Sequence, residues 1–278
     1  MPDSQPTARA ALRVGSVPYL VGRPLDFELE REPGLAYQRA VPSRLVEQLR
    51  AGELDVALVS SIELFRRPGY AYIDGLAVAG RGAVHSVQLF LRTPLERVRT
   101  IALDPASRTS AVLVEIELAA RFGRRPELIE LAAGADPRAA SADAWLQIGD
   151  AALRAALAPG APPTFNPSQA WTERTGLPFV FACWVVGPAA VASVAPALFQ
   201  TARDRARGGT SELARQAAHE WHLPEHDCRD YLERECVYEL EPAAMRAALF
   251  AFRDAAAVLG RCEAGLEPRA LSPAGVRR

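Results

Sequence analysis

The sequence contains no lysine, so all 32 of its basic residues are arginine. Schiff-base catalysis, a pyridoxal phosphate anchor and a phosphate-loop lysine all need an ε-amine. Arginine cannot replace it, because the guanidinium stays protonated and is not a nucleophile. The arginines are balanced by 33 acidic residues, which leaves a net charge of -1. We therefore expect no nucleic-acid partner, since surfaces that follow a phosphate backbone carry an excess of positive charge.

Long apolar runs are also missing, and the few cysteines are not paired. No segment approaches the roughly 18 uncharged apolar residues of a membrane-spanning helix, so no membrane partner is expected. Residues Met1 to Ala11 are polar and lack the apolar core of a secretory signal, which predicts a cytoplasmic protein. The four cysteines form no C-x-x-C motif and are interpreted as free thiols, as in a reducing compartment.

Motifs for nucleotides, hydrolytic nucleophiles and metals are absent as well. The chain has no G-x-G-x-x-G or Walker loop and no G-x-S-x-G elbow. His85, the only histidine before the C-terminal region, is either a general base or a structural residue at a strand end. The other possible metal ligands are His219, His222, His226 and Cys228. Their spacing differs from H-E-x-x-H and Pro224 interrupts it, so we predict no metal site.

The length of 278 residues favours two domains, and apolar patterning predicts an α/β fold. Short apolar segments alternate with amphipathic helices in the first two thirds of the chain. The predicted strands are 12–17, 54–59, 72–79, 86–91, 100–104, 127–132, 145–148 and 179–186. After Pro188 only helices are predicted, the longest from Pro242 to Leu259 with Gly260 beyond its end.

Three strand-to-helix turns are candidate ligand-binding positions. They are Ser60-Ser61, Ser107-Arg108-Thr109-Ser110 and Gly149-Asp150. Ligands of open α/β sheets bind at such turns, because helix N-termini there offer unpaired N–H groups. Ser60, in a capping box with Glu63, and Asp150 are also predicted helix caps. Two hydroxyl-rich turns on separate α/β halves predict a cleft between two lobes for a small molecule with carboxylates.

Several segments, in this order, resemble one enzyme family. They are Leu12-Arg13-Val14-Gly15 with Tyr19-Leu20 and Pro24-Leu25, Leu54 to Ser61, Ser86-Val87, Ser107 to Ser110, Ile148 to Leu153, Trp171, and Thr175 to Trp184. Over residues 12–260 the chain is similar to the chorismate dehydratases of the futalosine pathway of menaquinone biosynthesis. The co-occurrence of the segments IGDAAL and TGLPFVFA makes this resemblance specific.

The resemblance implies a two-lobe type II periplasmic-binding-protein-like fold with a helical C-terminal tail. We expect residues 10–92 plus 187–278 to form the first lobe and residues 93–186 the second, with the ligand cleft between them. The implied activity is a lyase reaction that dehydrates chorismate to 3-[(1-carboxyvinyl)oxy]benzoate without a cofactor. Chorismate is then the small-molecule partner.

Site residues follow from the resemblance by position. Ser86 matches a serine implicated in catalysis, and Ser107, Thr109 and Ser110 match a carboxylate-binding turn. Further substrate-binding candidates are Tyr19, Ser60, Ser61 and Asp150. The family usually has an asparagine where this chain has Val21. Either another donor, Tyr19 or Ser16, supplies the missing polar contact, or the active-site role of that asparagine is not general.

Two alternative functions remain. The first is the 1,4-dihydroxy-6-naphthoate synthase of the same pathway, which looks similar in fold but should carry a histidine base in the second lobe. Between Pro94 and Pro188 this chain has no histidine. The second is a non-catalytic solute-binding protein, which needs an export signal.

Overall fold

Eight of the twelve strands in the described residues form where the sequence predicts them, in short apolar segments bounded by turns. The structure is a computed structural model that describes residues 11–272. The prediction about a secretory signal therefore concerns residues that, apart from Ala11, lie outside the described range. In chain order the strands are β1 (Leu12–Ser16), β2 (Leu35–Arg39), β3 (Val56–Ser60), β4 (Ala71–Gly80), β5 (Val87–Leu91), β6 (Thr100–Leu103), β7 (Glu127–Ile129), β8 (Ala144–Ile148), β9 (Thr164–Phe165), β10 (Phe179–Val186), β11 (Cys236–Glu239) and β12 (Arg269–Leu271).

Helices begin at proline and end before glycine at several positions. They are α1 (Pro42–Ala51), α2 (Thr109–Phe122), α3 (Gly149–Leu157), α4 (Pro167–Thr175), α5 (Pro196–Ala206), α6 (Thr210–Trp221), α7 (Glu225–Asp230) and α8 (Pro242–Val258). The predicted bounds of α8, Pro242 to Leu259, are confirmed to within one residue. None of the helices in the described range combines the length and hydropathy that a bilayer crossing requires.

The strands form one sheet in each of two lobes. The first lobe has a seven-stranded sheet in the order β11-β4-β10-β3-β1-β2, with β12 beside β4. The second lobe has a five-stranded sheet in the order β7-β6-β8-β5-β9. All five residues of β3 are buried, because β3 lies in the middle of the first sheet between β1 and β10. The predicted α/β architecture of two lobes is confirmed.

The sheets divide the chain differently from the expected boundaries at 92 and 186. β5 lies in the second lobe, where it pairs with β8 from Val87↔Ile148 to Leu91↔Ala144. β10 lies in the first lobe, antiparallel between β3 and β4. Membership of a sheet depends on backbone hydrogen bonds between distant segments, and the apolar pattern of a strand does not encode its partner.

The C-terminal region is not purely helical. β11 and β12 both pair with β4, at opposite ends of that long strand, and complete the first sheet. The prediction of helices alone after Pro188 is therefore wrong for two short segments. Both have only three or four residues, too few to show an alternating pattern.

The chain passes between the lobes at residues 81–86 and 166–178, and aromatic packing fixes the second passage. Trp171 of α4 packs edge-on against Phe179 of β10 and Phe252 of α8, with ring centroids 5.5 and 6.3 Å away. Its indole N–H donates to the Pro178 carbonyl at 3.3 Å. Edge-to-face pairs of this kind add about 0.5–1.5 kcal/mol each to burial. The lobes are thereby joined next to the cleft between them.

Candidate functional site

A cleft lies between the lobes, beside the end of β3 and the beginnings of α2 and α3. It encloses about 620 Å³ of empty space, part of it open to solvent. Half of its lining residues are valine, leucine, isoleucine or phenylalanine. Six lining residues have polar side chains: Tyr19, Ser60, Ser86, Arg108, Thr109 and Ser110. The structure thus brings together five of the eight site residues predicted from the sequence.

The hydroxyl groups of Tyr19, Ser60 and Ser110 are available to a ligand. None of them forms a hydrogen bond with another residue in the range 11–272. Burial raises the pKa of Tyr19 above its ordinary value, with further contributions from Asp104 and Asp150, so the phenol stays protonated. All three side chains can therefore donate a hydrogen bond to an anionic ligand.

Ser86 is placed in the cleft by the first passage between the lobes. It directly precedes β5, and its carbonyl accepts a hydrogen bond from the Gly149 N–H at 2.8 Å. Its side chain lines the cleft although the residue is only 5% exposed. The position agrees with the role implied by the resemblance, which stays a prediction.

Thr109 lines the cleft and also connects the two lobes. Its Oγ1 accepts a hydrogen bond from the backbone N–H of Ile62 at 3.2 Å and lies 3.5 Å from Ser61 Oγ. Ser61 uses its only proton to donate to the Val180 carbonyl at 2.6 Å. The proton of Thr109 is therefore free to point towards Ser61 or into the cleft.

Ser61 and Ser107 are buried and lie outside the cleft lining. The Ser61 hydroxyl is used in the core, as described above, because its side chain points between β10 and α2. Ser107 is 7% exposed, and its hydroxyl has no hydrogen-bond partner among the described residues. Its backbone N–H donates to the Asp104 carbonyl at 2.8 Å, which shapes the turn before α2.

Asp150 also lies outside the cleft lining, and it does not cap α3. The helix begins at Gly149, so Asp150 lies within its first turn. Its Oδ1 accepts a hydrogen bond from the Leu20 N–H of the other lobe at 2.9 Å. Burial raises the pKa of Asp150 to about 6, an effect opposed by the Leu20 N–H and by Arg154 and Arg23.

The predicted capping box at Ser60 is likewise absent, since Ser60 makes no side-chain cap bond to the turn that follows it. The Glu63 carboxylate instead pairs with the Arg50 guanidinium through two contacts of 2.6 Å. A bidentate ion pair is stronger than one hydrogen bond to a neutral N–H group.

Arg108 is the site residue that the sequence reasoning missed. Of the described residues that line the cleft, it is the only one with a positive charge, and it forms no ion pair within residues 11–272. The sequence predicts binding roles only for the hydroxyls on both sides of this arginine. Its guanidinium can hold a carboxylate in two parallel hydrogen bonds.

Tyr19 and Val21 form the wall of the cleft on the side of the first lobe. The Tyr19 ring lies against Gly149, where an added Cβ would be 3.0 Å from two ring atoms. Val21 lines the cleft at the position of the family asparagine. Ser16 is fully buried outside the cleft lining, so of the two suggested replacements for that asparagine only Tyr19 reaches the cleft.

The described residues contain no group of three or more histidine, cysteine, aspartate or glutamate side chains that could hold a metal ion. His85 instead contacts Glu235, with 2.6 Å between its Nδ1 and Glu235 Oε1. All four cysteines are free. Among residues 11–272, no acidic side chain and no histidine lines the cleft.

The fold is shared with solved structures of periplasmic binding proteins. One of them is the alkanesulfonate-binding protein of Xanthomonas axonopodis pv. citri. It superposes with a TM-score of 0.66 at 18% sequence identity, and the match covers 96% of this chain and 97% of that one. At this identity the similarity shows the fold alone.

Sequence comparison is more specific. A chorismate dehydratase from Thermus thermophilus is 33% identical over 195 residues, a match that covers 60% of this chain and 69% of that protein. A chorismate dehydratase from Campylobacter jejuni is 29% identical over 181 residues, which cover 60% of this chain and 64% of that protein. A family model described as menaquinone biosynthesis matches residues 12–257, from β1 into α8. The chain therefore belongs to the menaquinone biosynthesis family.

Proposed function

We propose that this protein is a lyase that dehydrates chorismate to 3-[(1-carboxyvinyl)oxy]benzoate, the first step of the futalosine route to menaquinone. The family and the names of its two relatives support this activity. The observation that carries the proposal is the chemistry of the cleft. Its walls are apolar, and its polar side chains are hydroxyls and one guanidinium. Such a cleft suits an unsaturated ring that carries two carboxylates.

The reaction removes the ring hydroxyl and the proton on the adjacent ring carbon, which bears the ether oxygen. The electrons of the broken C–H bond form the new ring double bond, and the hydroxyl leaves with its bonding electrons. Because the product ring is aromatic, the reaction has an internal driving force. The tasks left for the protein are to orient the substrate and to stabilise the leaving group.

As far as the structure describes the chain, the lining offers no side-chain base for the ring proton. It contains no carboxylate and no imidazole, and the Tyr19 phenol is protonated. The enolpyruvyl carboxylate of the substrate therefore takes the proton, and the proton then leaves with the hydroxide as water. The role of the protein is to hold that carboxylate over the ring carbon.

The lining residues divide this work. Arg108 and Ser110, at the beginning of α2, bind a substrate carboxylate through the guanidinium and a hydroxyl at the positive end of the helix. Ser86, on the passage between the lobes, donates a hydrogen bond to the departing ring hydroxyl. Tyr19 and Ser60 supply further donors from the first lobe.

The protein needs no cofactor, since aromatisation by loss of water requires neither an oxidant nor a group carrier. It acts in the cytoplasm, and the free state of all four cysteines agrees with a reducing compartment.

Purified protein mixed with chorismate tests the activity. We expect 3-[(1-carboxyvinyl)oxy]benzoate to accumulate, as detected by liquid chromatography, at a rate that EDTA does not change. Saturable binding of chorismate without product would indicate a solute-binding protein. Neither binding nor product would indicate a different substrate, as expected for the naphthoate synthase of the same pathway.

A further inference from the structure

Tyr231 is a buried phenol next to Ser86 whose hydroxyl is unused. The residue is 1% exposed, and its Oη has no hydrogen-bond partner among the described residues. Buried hydroxyls are rarely left unpaired, because the loss of their bonds to water is not compensated. Tyr231 opens a π-helical turn, Tyr231–Glu235, that joins α7 to β11. Such widened turns are uncommon and often occur at functional sites.

Direct contacts hold this turn against the passage that carries Ser86. The His85 backbone N–H donates to Glu235 Oε2 at 2.8 Å, and the His85 ring bonds to the other oxygen of that carboxylate. Cys236, the next residue, pairs with Gly80 at the end of β4. The passage at residues 81–86 is therefore fixed to this turn at two points: at His85, immediately before Ser86, and at the beginning of the passage, next to Gly80.

Tyr231 is a permanent hydrogen-bond donor. Burial raises its pKa well above the ordinary value, and Cys236 and Tyr238 raise it further. The Ser86 hydroxyl lies close enough to oppose this rise, although the two oxygens do not meet the geometry of a hydrogen bond in this structure. The phenol remains neutral, with its proton in place, throughout the range in which an enzyme works.

We infer that Tyr231 is a positioning residue for Ser86, and this inference rests on the proposed function. A serine hydroxyl has one proton and two lone pairs. When the Tyr231 proton occupies one lone pair of Ser86 Oγ, the proton of Ser86 is directed into the cleft. Tyr231 thus touches no substrate and acts by keeping Ser86 in the donating orientation.

The test is Tyr231→Phe, which removes only the hydroxyl. We expect kcat to fall about tenfold, the effect of one lost hydrogen bond, with KM nearly unchanged. The matched control is Tyr238→Phe. Tyr238 is a second buried tyrosine with an unpartnered hydroxyl, and the groups that act on it among the described residues are Cys236 and Arg203 rather than Ser86. We expect this variant to keep the wild-type kcat.

A double-mutant cycle separates positioning from a structural role. In a Ser86→Ala background, Tyr231→Phe should cause no further loss of kcat, because the group it orients is gone. An unchanged kcat for Tyr231→Phe alone would overturn the inference, as would a full additional loss in the Ser86→Ala background or a fall in melting temperature that accounts for the lost activity. If wild-type protein forms no product from chorismate, the proposed function fails first and the inference falls with it.

Discussion

The backbone N–H of Leu20 in the first lobe donates a hydrogen bond of 2.9 Å to Asp150 Oδ1 in the second lobe. Leu20 begins the turn that carries Val21, and Asp150 lies in the first turn of α3. This bond therefore holds one wall of the cleft against the other. Asp150 serves the site by fixing its shape, a role different from the substrate contact expected from the sequence.

Asp150 should make stability depend on pH. Its pKa is raised from 3.8 to about 6 in the folded protein, mainly by burial. The stability linked to its protonation is complete below about pH 4 and is lost as the pH rises through about 6, a difference of about 3 kcal/mol. We expect the unfolding free energy of the wild type, measured in urea, to fall relative to that of Asp150→Asn as the pH rises from 4 to 7. Parallel pH profiles would show that Asp150 does not titrate in this range.

Gly149 should be intolerant of a side chain for two reasons. Its φ is +67°, and a Cβ would lie 3.0 Å from the Tyr19 ring. Gly160 is the matched control, since its φ is +73° and a Cβ there would meet nothing within 4 Å. Gly160→Ala should lower the free energy of unfolding by about 1–2 kcal/mol through backbone strain alone. Gly149→Ala should lower the free energy of unfolding by more than this. It should also raise KM for chorismate, because Tyr19 must move. Equal losses in the two variants, with no change in KM, would show that the contact with Tyr19 is unimportant.

Arg108→Gln tests the binding of a substrate carboxylate. Loss of a charge-assisted hydrogen bond is worth roughly 1.5–3 kcal/mol, so KM should rise about tenfold to a hundredfold. Arg97→Gln removes the same charge from an exposed residue outside the cleft lining and should leave KM unchanged. Melting temperatures should stay near wild type for both, since neither arginine forms an ion pair among the described residues. A wild-type KM for Arg108→Gln would show that Arg108 does not bind the substrate.

Ser86→Ala and Ser61→Ala should have opposite effects. Ser86 lines the cleft, and loss of its hydroxyl should lower kcat about a hundredfold with little change in melting temperature. Ser61 donates to the Val180 carbonyl in the core, so its replacement should cost about 1–3 kcal/mol of stability and much less activity per folded molecule. If Ser86→Ala loses stability and keeps its kcat, Ser86 is a structural residue.

The parts of the fold that depend on local chemistry could be predicted from the sequence. Pro242 and Gly260 bound α8, and Gly123 ends α2 in a left-handed conformation. Such residues act through their own backbone preferences, so no partner is needed to interpret them. The buried strands can be predicted equally well, because their apolar runs are continuous and bounded by turns.

The parts that depend on distant partners could not be predicted in the same way. The Asp150 carboxylate accepts from Leu20, 130 residues away, and the Glu63 carboxylate pairs with Arg50 of α1. Local patterns favour helix caps at Ser60 and Asp150. In the structure, the carboxylates of Glu63 and Asp150 bind these distant partners instead. The unpaired state of Arg108 is also visible only once its surroundings are assembled. Hydroxyls in a turn can be noticed in a sequence, whereas the absence of a partner cannot.

A proton NMR time course of chorismate with the purified protein follows the proposed dehydration directly. We expect aromatic ring signals to replace the signals of the chorismate ring, the vinyl signals of the enolpyruvyl group to persist, and no pyruvate to appear. Chorismate that stays unchanged, or a ring that becomes aromatic with release of pyruvate, would contradict the assignment of this cleft to the dehydration of chorismate.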